Sequence, residues 1–65
     1  MQITINGRSE KIAACTIAEL VRQKGLNPDR LVVEHNLNIV KQDLWSRIVL
    51  RDGDLLELLS FVGGG

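Results

Sequence analysis

From Gln2 to Asn6 the chain alternates, Ile3 and Ile5 falling on one side and Gln2, Thr4 and Asn6 on the other. A period of two marks a strand with one buried face. Asn6-Gly7 follows, a dipeptide that tolerates the positive φ angles of a tight hairpin turn. Arg8 to Ala13 then returns as a second strand, so the pattern predicts an opening β-hairpin.

At Thr16 the period changes. Thr16-Ile17-Ala18-Glu19 is a capping box: the Thr16 hydroxyl accepts from the Glu19 amide while the Glu19 carboxylate accepts from the Thr16 amide. Ile17, Leu20 and Val21 recur at i, i+3 and i+4, one apolar stripe. Gly25 stands where a left-handed C-terminal cap is wanted, and Pro28 discourages a restart, so the helix is predicted from Ile17 to Lys24. Leu31 to Asn36 reads as a third strand, followed by a turn and a brief extended piece at Asn38 to Val40. Asp43-Leu44-Trp45 reads as a single helical turn. Arg51-Asp52-Gly53-Asp54 reads as a type I or I′ turn feeding a last strand, Leu55 to Phe61.

The order β-β-α-β-(β)-β predicts an α+β domain, a mixed sheet of four to five strands packed on one main helix. In the last strand the alternation separates Leu56, Leu58 and Ser60 from Leu55, Glu57, Leu59 and Phe61. One helix covers one face of a sheet, so whichever set faces away leaves apolar side chains uncovered. Such clusters mark docking surfaces.

Size narrows the function. Sixty-five residues make one domain, residues 1–65, near the lower limit for folding without disulfides or metal. At 45% hydrophobic residues the chain supports one modest core but not a deep catalytic pocket. Eight Lys and Arg balance eight Asp and Glu, and the basic residues are scattered. With Trp45 and Phe61 as the only aromatics, neither a phosphate-tracking patch nor a base-stacking platform is supplied, so nucleic acid is not an expected partner. The single Cys15 forms no internal disulfide, "MQITING" lacks the apolar core of a signal peptide, and no run approaches bilayer-spanning length. A cytoplasmic protein without membrane contact is expected.

Chemistry-bearing side chains inside the domain have structural explanations. Cys15 precedes the Thr16 cap, where an apolar residue packs against Leu20, and no His or Asp lies nearby in sequence to activate it. His35 has no companion at metal-ligand spacing and is expected at the surface or a sheet edge. Trp45 is expected to plug one end of the core. Asp52-Gly53-Asp54 lacks the further oxygen ligands of a calcium loop. No catalytic set or metal site is expected, nor a stably bound cofactor.

The end of the chain, Phe61-Val62-Gly63-Gly64-Gly65, is different. Three glycines form a thin segment, expected to be flexible over residues 62–65, that can thread a channel where any Cβ would clash. Its chemistry would lie at the Gly65 carboxylate. A carboxylate is a poor electrophile because it would have to expel oxide. A mixed anhydride with AMP supplies a good leaving group, which a sulfur nucleophile can displace to leave a thiocarboxylate.

The Asn-Gly turn, "TIAEL" opening the helix, "RDGDLLELL" and the closing "FVGGG" together resemble the ThiS family, the sulfur carriers of thiamin-thiazole biosynthesis, over essentially the whole chain. The resemblance implies a ubiquitin-like β-grasp fold. It implies a ubiquitin-activating-type adenylyltransferase that uses ATP and magnesium to adenylate Gly65, with Gly63 and Gly64 as the threading tail. A cysteine desulfurase relay would deliver the sulfur, and thiazole synthase would take it. The family's register turns Leu56 and Leu58 inward and leaves Leu59 and Phe61, with Val62 beyond them, as the partner-docking face. The chain departs from the family in the turn after the third strand, where Asn-Gly is frequent and this chain reads Glu34-His35-Asn36-Leu37-Asn38, and at Lys41-Gln42, where Pro-Arg is common. Other readings of a Gly-Gly end are a carrier of the molybdopterin-synthase small-subunit type, a ubiquitin-like protein modifier, and an interaction module with an idle tail.

Overall fold

The first and last strands lie side by side in the middle of the sheet. The computed structural model describes residues 1–61. Its strands are β1 (Gln2–Ile5), β2 (Arg8–Lys11), β3 (Leu31–His35), β4 (Asn38–Val40) and β5 (Leu55–Ser60), with one α-helix, α1 (Ile17–Gln23). They form a single sheet in the order β2-β1-β5-β3-β4. β1 and β5 are parallel, and the other neighbours are antiparallel. The expected mixed sheet on one helix is thus present, with all five strands.

Local chemistry explains each element. Asn6 and Gly7 take φ of 49° and 80°, the double positive pattern of a type I′ turn, whose twist matches that of the strands it joins. Both arms of the capping box are made: Glu19 N donates to Thr16 Oγ1 at 3.1 Å, and Thr16 N donates to Glu19 Oε1 at 2.8 Å. Those bonds draw the Glu19 carboxyl below its usual range. At the other end Lys24 is the cap rather than the last helical residue. Gly25, at φ 69°, donates to Arg22 O, and Leu26 N donates to Val21 O. This pair of bonds is the Schellman motif, and it needs the left-handed residue that glycine supplies.

Beneath the sheet, Ile17, Leu20 and Val21 of α1 meet Ile3 and Ile5 of β1, Leu31 and Val33 of β3, and Leu56 and Leu58 of β5. Trp45 closes one end, buried, with its indole N–H donating to Val40 O at 2.9 Å. The expected plug is therefore present, and its one polar atom is satisfied, as burial requires. Cys15 is buried in the same cluster as Leu20, in keeping with its expected role beneath the cap.

Several local expectations are corrected. Asn27-Pro28 opens a 3₁₀ turn, Pro28–Arg30, because the Asn27 side chain caps the Asp29 amide and proline fits the first helical position. The helical turn near Trp45 runs longer than three residues, from Gln42 to Arg47. Strand β2 stops at Lys11 rather than Ala13, and β5 at Ser60 rather than Phe61. In the Arg51–Asp54 turn only Gly53 has a positive φ, 87°, which is the φ pattern of type II and not of I or I′.

Candidate functional site

Strand β5 carries the chain toward its glycines, and two asparagine side chains hold it from opposite sides. On the β1 side, Asn6 leaves the strand at the hairpin turn. Its side-chain amide then takes the place of a backbone unit: Leu58 N donates to Asn6 Oδ1 at 2.7 Å, and Asn6 Nδ2 donates to Leu58 O at 3.1 Å. On the β3 side, Leu55 N donates to Asn36 Oδ1 at 2.9 Å, while Asn36 N donates to Leu55 O at 2.8 Å. Beyond Ser60, Phe61 N donates to Arg30 O at 2.9 Å, the last described bond before residues 62–65.

Asp54 anchors the second clamp. Its carboxylate accepts from the Arg51 amide at 2.9 Å and from Asn36 Nδ2 at 3.2 Å, and its Oδ2 lies 2.8 Å from His35 Nε2. Burial by itself pushes this carboxyl upward. The bonds from His35, Arg51 and Asn36, with the charge of His35, outweigh it and hold the carboxyl below the usual carboxylate range. His35 is therefore neither a sheet-edge residue nor a free surface one, because β3 lies between β5 and β4 and its ring is pinned to Asp54. Sequence reasoning missed Asp54 as a functional support. Its side-chain partners Asn36 and His35 lie 18 and 19 residues away, and only the strand order brings them together.

Away from the helix the sheet is open. Leu56 and Leu58 are buried, whereas Leu55, Leu59 and Phe61 are 46%, 55% and 48% exposed, the division expected from the register. Across the open face Leu59 pairs with Val32, and Glu57 pairs with Glu34, which in turn pairs with Ile39 of β4. Of the expected docking residues, Leu59 and Phe61 therefore share one exposed strand end. Val62, Gly63, Gly64 and Gly65 lie outside the described residues.

Burial, and after it the charge of Glu19, push the Cys15 thiol up, away from the nucleophilic thiolate. Among the described residues no group of three His, Cys, Asp or Glu side chains is placed to hold a metal. No helix there is long and apolar enough to cross a membrane.

A five-stranded sheet with parallel β1 and β5 at its centre, crossed by one helix, is a ubiquitin-like β-grasp fold. Within that class the chain belongs to the ThiS family, whose model matches residues 3–65. The structure is similar to the crystal structure of the thiamine biosynthesis protein ThiS from Geobacter metallireducens, with a TM-score of 0.86 and 26% identity over the full length of both chains. The solution structure of a thiamine biosynthesis protein from the same organism gives 0.83, covering all of this chain and 88% of that one. Among curated proteins, the chain is 35% identical over 66 residues to a thiazole synthase of Paramagnetospirillum magneticum, and 34% identical over 50 residues to the sulfur carrier protein ThiS of Bacillus subtilis. The second match covers 77% of this chain and 76% of the Bacillus protein. The first covers all of this chain but only 20% of the synthase, so the chain spans about a fifth of that relative's length.

Proposed function

We propose that the chain is a sulfur carrier of thiamin biosynthesis, a substrate protein rather than an enzyme, whose Gly65 carboxylate is converted to a thiocarboxylate. The observation that carries this reading is the family match, which runs through the glycines to residue 65. In the first step the Gly65 carboxylate attacks the α-phosphate of ATP on a ubiquitin-activating-type adenylyltransferase that uses magnesium, and pyrophosphate leaves. The terminal sulfur of a persulfide delivered through a cysteine desulfurase relay then attacks the acyl adenylate and AMP leaves, and a thiol reduces the S–S bond of the resulting acyl disulfide to free the thiocarboxylate. Gly63 and Gly64 let the tail enter the enzyme, because a segment without Cβ atoms passes where other residues would clash.

Docking falls to the open end of β5, where Leu59 and Phe61 are exposed and Val62 follows in sequence. A carrier must leave one enzyme for the next, which a modest interface with a few apolar anchors permits. Thiazole synthase as the sulfur's recipient is supported by the similarity of this chain to part of two thiazole synthases, from Paramagnetospirillum magneticum and Magnetococcus marinus. The cytoplasm, where ATP and the relay are found together, is the proposed location.

The test is intact mass after incubation with the adenylyltransferase, ATP, magnesium and sulfide. A gain equal to one oxygen-for-sulfur exchange, absent when Gly65 is removed, is expected. No gain with an enzyme shown to be active on another carrier would overturn the reading. Thiazole formation from the loaded protein separates the thiamin role from a molybdopterin role.

A further inference from the structure

Glu34 and Glu57 face each other directly across β3 and β5, in the middle of the open face. Cross-strand neighbours on one face stand about 5 Å apart, and like charges so placed repel. Among the described residues neither carboxylate has a hydrogen bond or ion-pair partner. Apolar side chains on two sides are just as unpartnered: Leu59 and Val32 pair on one side, and Ile39, 71% exposed, flanks Glu34 on β4. Among the described residues nothing neutralises the two charges.

We propose that this face is built to receive an arginine, presented by a partner protein within an otherwise apolar contact surface. Only a cation relieves the repulsion, and the planar fork of a guanidinium suits two adjacent carboxylates better than the single ammonium of lysine. Leu59, Val32 and Ile39 exclude water from two sides of the contact once covered, which strengthens it. Charge also removes other occupants. A second copy docked face to face would bring four carboxylates into one interface, and an anionic membrane or nucleic acid would be repelled. The acidic pair thus makes an apolar face selective for one kind of partner and poor at self-association.

The inference rests on the sulfur-carrier reading, which supplies the partner for its test, the adenylyltransferase. Initial rates of thiocarboxylate formation, read by intact mass, are measured against carrier concentration for the wild type and for Glu34→Gln/Glu57→Gln, at low and at high salt. The variant is expected to raise KM about tenfold at low salt with kcat unchanged, and to lose most of the salt dependence of KM. Its thermal unfolding midpoint should match or exceed that of the wild type, because a repulsion has been removed. A KM equal to that of the wild type, with equal salt dependence, would overturn the arginine contact while leaving the carrier reading intact. Failure of the wild type itself to gain sulfur would instead overturn the reading and the inference together. Self-association of the wild type through this face, abolished by Leu59→Asp, would also overturn it.

Discussion

The side-chain amide of Asn6 bonds both backbone groups of Leu58, accepting from its N–H at 2.7 Å and donating to its carbonyl at 3.1 Å. β1 ends at Ile5, yet its pairing with β5 continues by this means for one more residue. Asn6→Gly keeps the positive φ of 49° accessible but leaves both Leu58 groups without their partner. A loss of about 1–3 kcal/mol is expected in urea unfolding. A variant as stable as the wild type would show that the clamp adds nothing.

Asp54 makes stability depend on acid. Its carboxyl titrates lower in the folded chain than in the unfolded one, so the contribution is fully present above the unfolded value of about 3.9. It is lost as pH falls from there through the folded value. Urea unfolding between neutral and strongly acidic pH should show this decline, and Asp54→Asn should flatten it while lowering stability at neutral pH by about 1–3 kcal/mol. An unchanged slope would assign the acid sensitivity elsewhere.

Leu37 stands at the second central position of the β3–β4 turn with φ 74°, a left-handed conformation that costs a residue with a Cβ roughly 1–2 kcal/mol. It is 82% exposed, so little packing offsets that cost. Leu37→Gly places the residue that type I′ turns favour, and should stabilise the domain by about 1 kcal/mol in thermal or urea unfolding. Destabilisation would mean that the leucine contributes packing after all.

Phe61 is half exposed beyond the end of β5. Phe61→Asp should leave unfolding within about 0.5 kcal/mol of the wild type, as expected for a surface change. Adenylation and sulfur transfer at limiting carrier concentration should fall at least about tenfold, as for loss of a central apolar anchor. Transfer at the normal rate would remove the docking role of this strand end.

Features carried by neighbouring residues were legible in the sequence. Asn6-Gly7, the Thr16–Glu19 box and Gly25 each announce a conformation through chemistry contained within a few residues, and each is present as read. The register of β5 was legible only through family resemblance, because the alternation of Leu55 to Phe61 offers apolar side chains to both faces. The strand order was not legible. With it were hidden the placement of His35 inside the sheet, the convergence of His35 and Asn36 on Asp54, and the meeting of Glu34 with Glu57. Each depends on β5 returning between β1 and β3, a relation between distant segments that no local pattern encodes. The 3₁₀ turn at Pro28 differs: Asn27-Pro28-Asp29 is a cap followed by proline at the first helical position, so its signal was present and local.

The central place of β5 has a consequence for the birth of the molecule. On the ribosome β1 to β4 emerge before it, yet they cannot close into one sheet without it, because β1 and β3 each leave an edge that only β5 fills. Contacts between the ends of the described chain are slow to form and come late. A nascent chain lacking β5 therefore offers neither the Leu59 face nor the clamped strand end, and an enzyme that binds there touches only molecules whose folding has already run to its last strand.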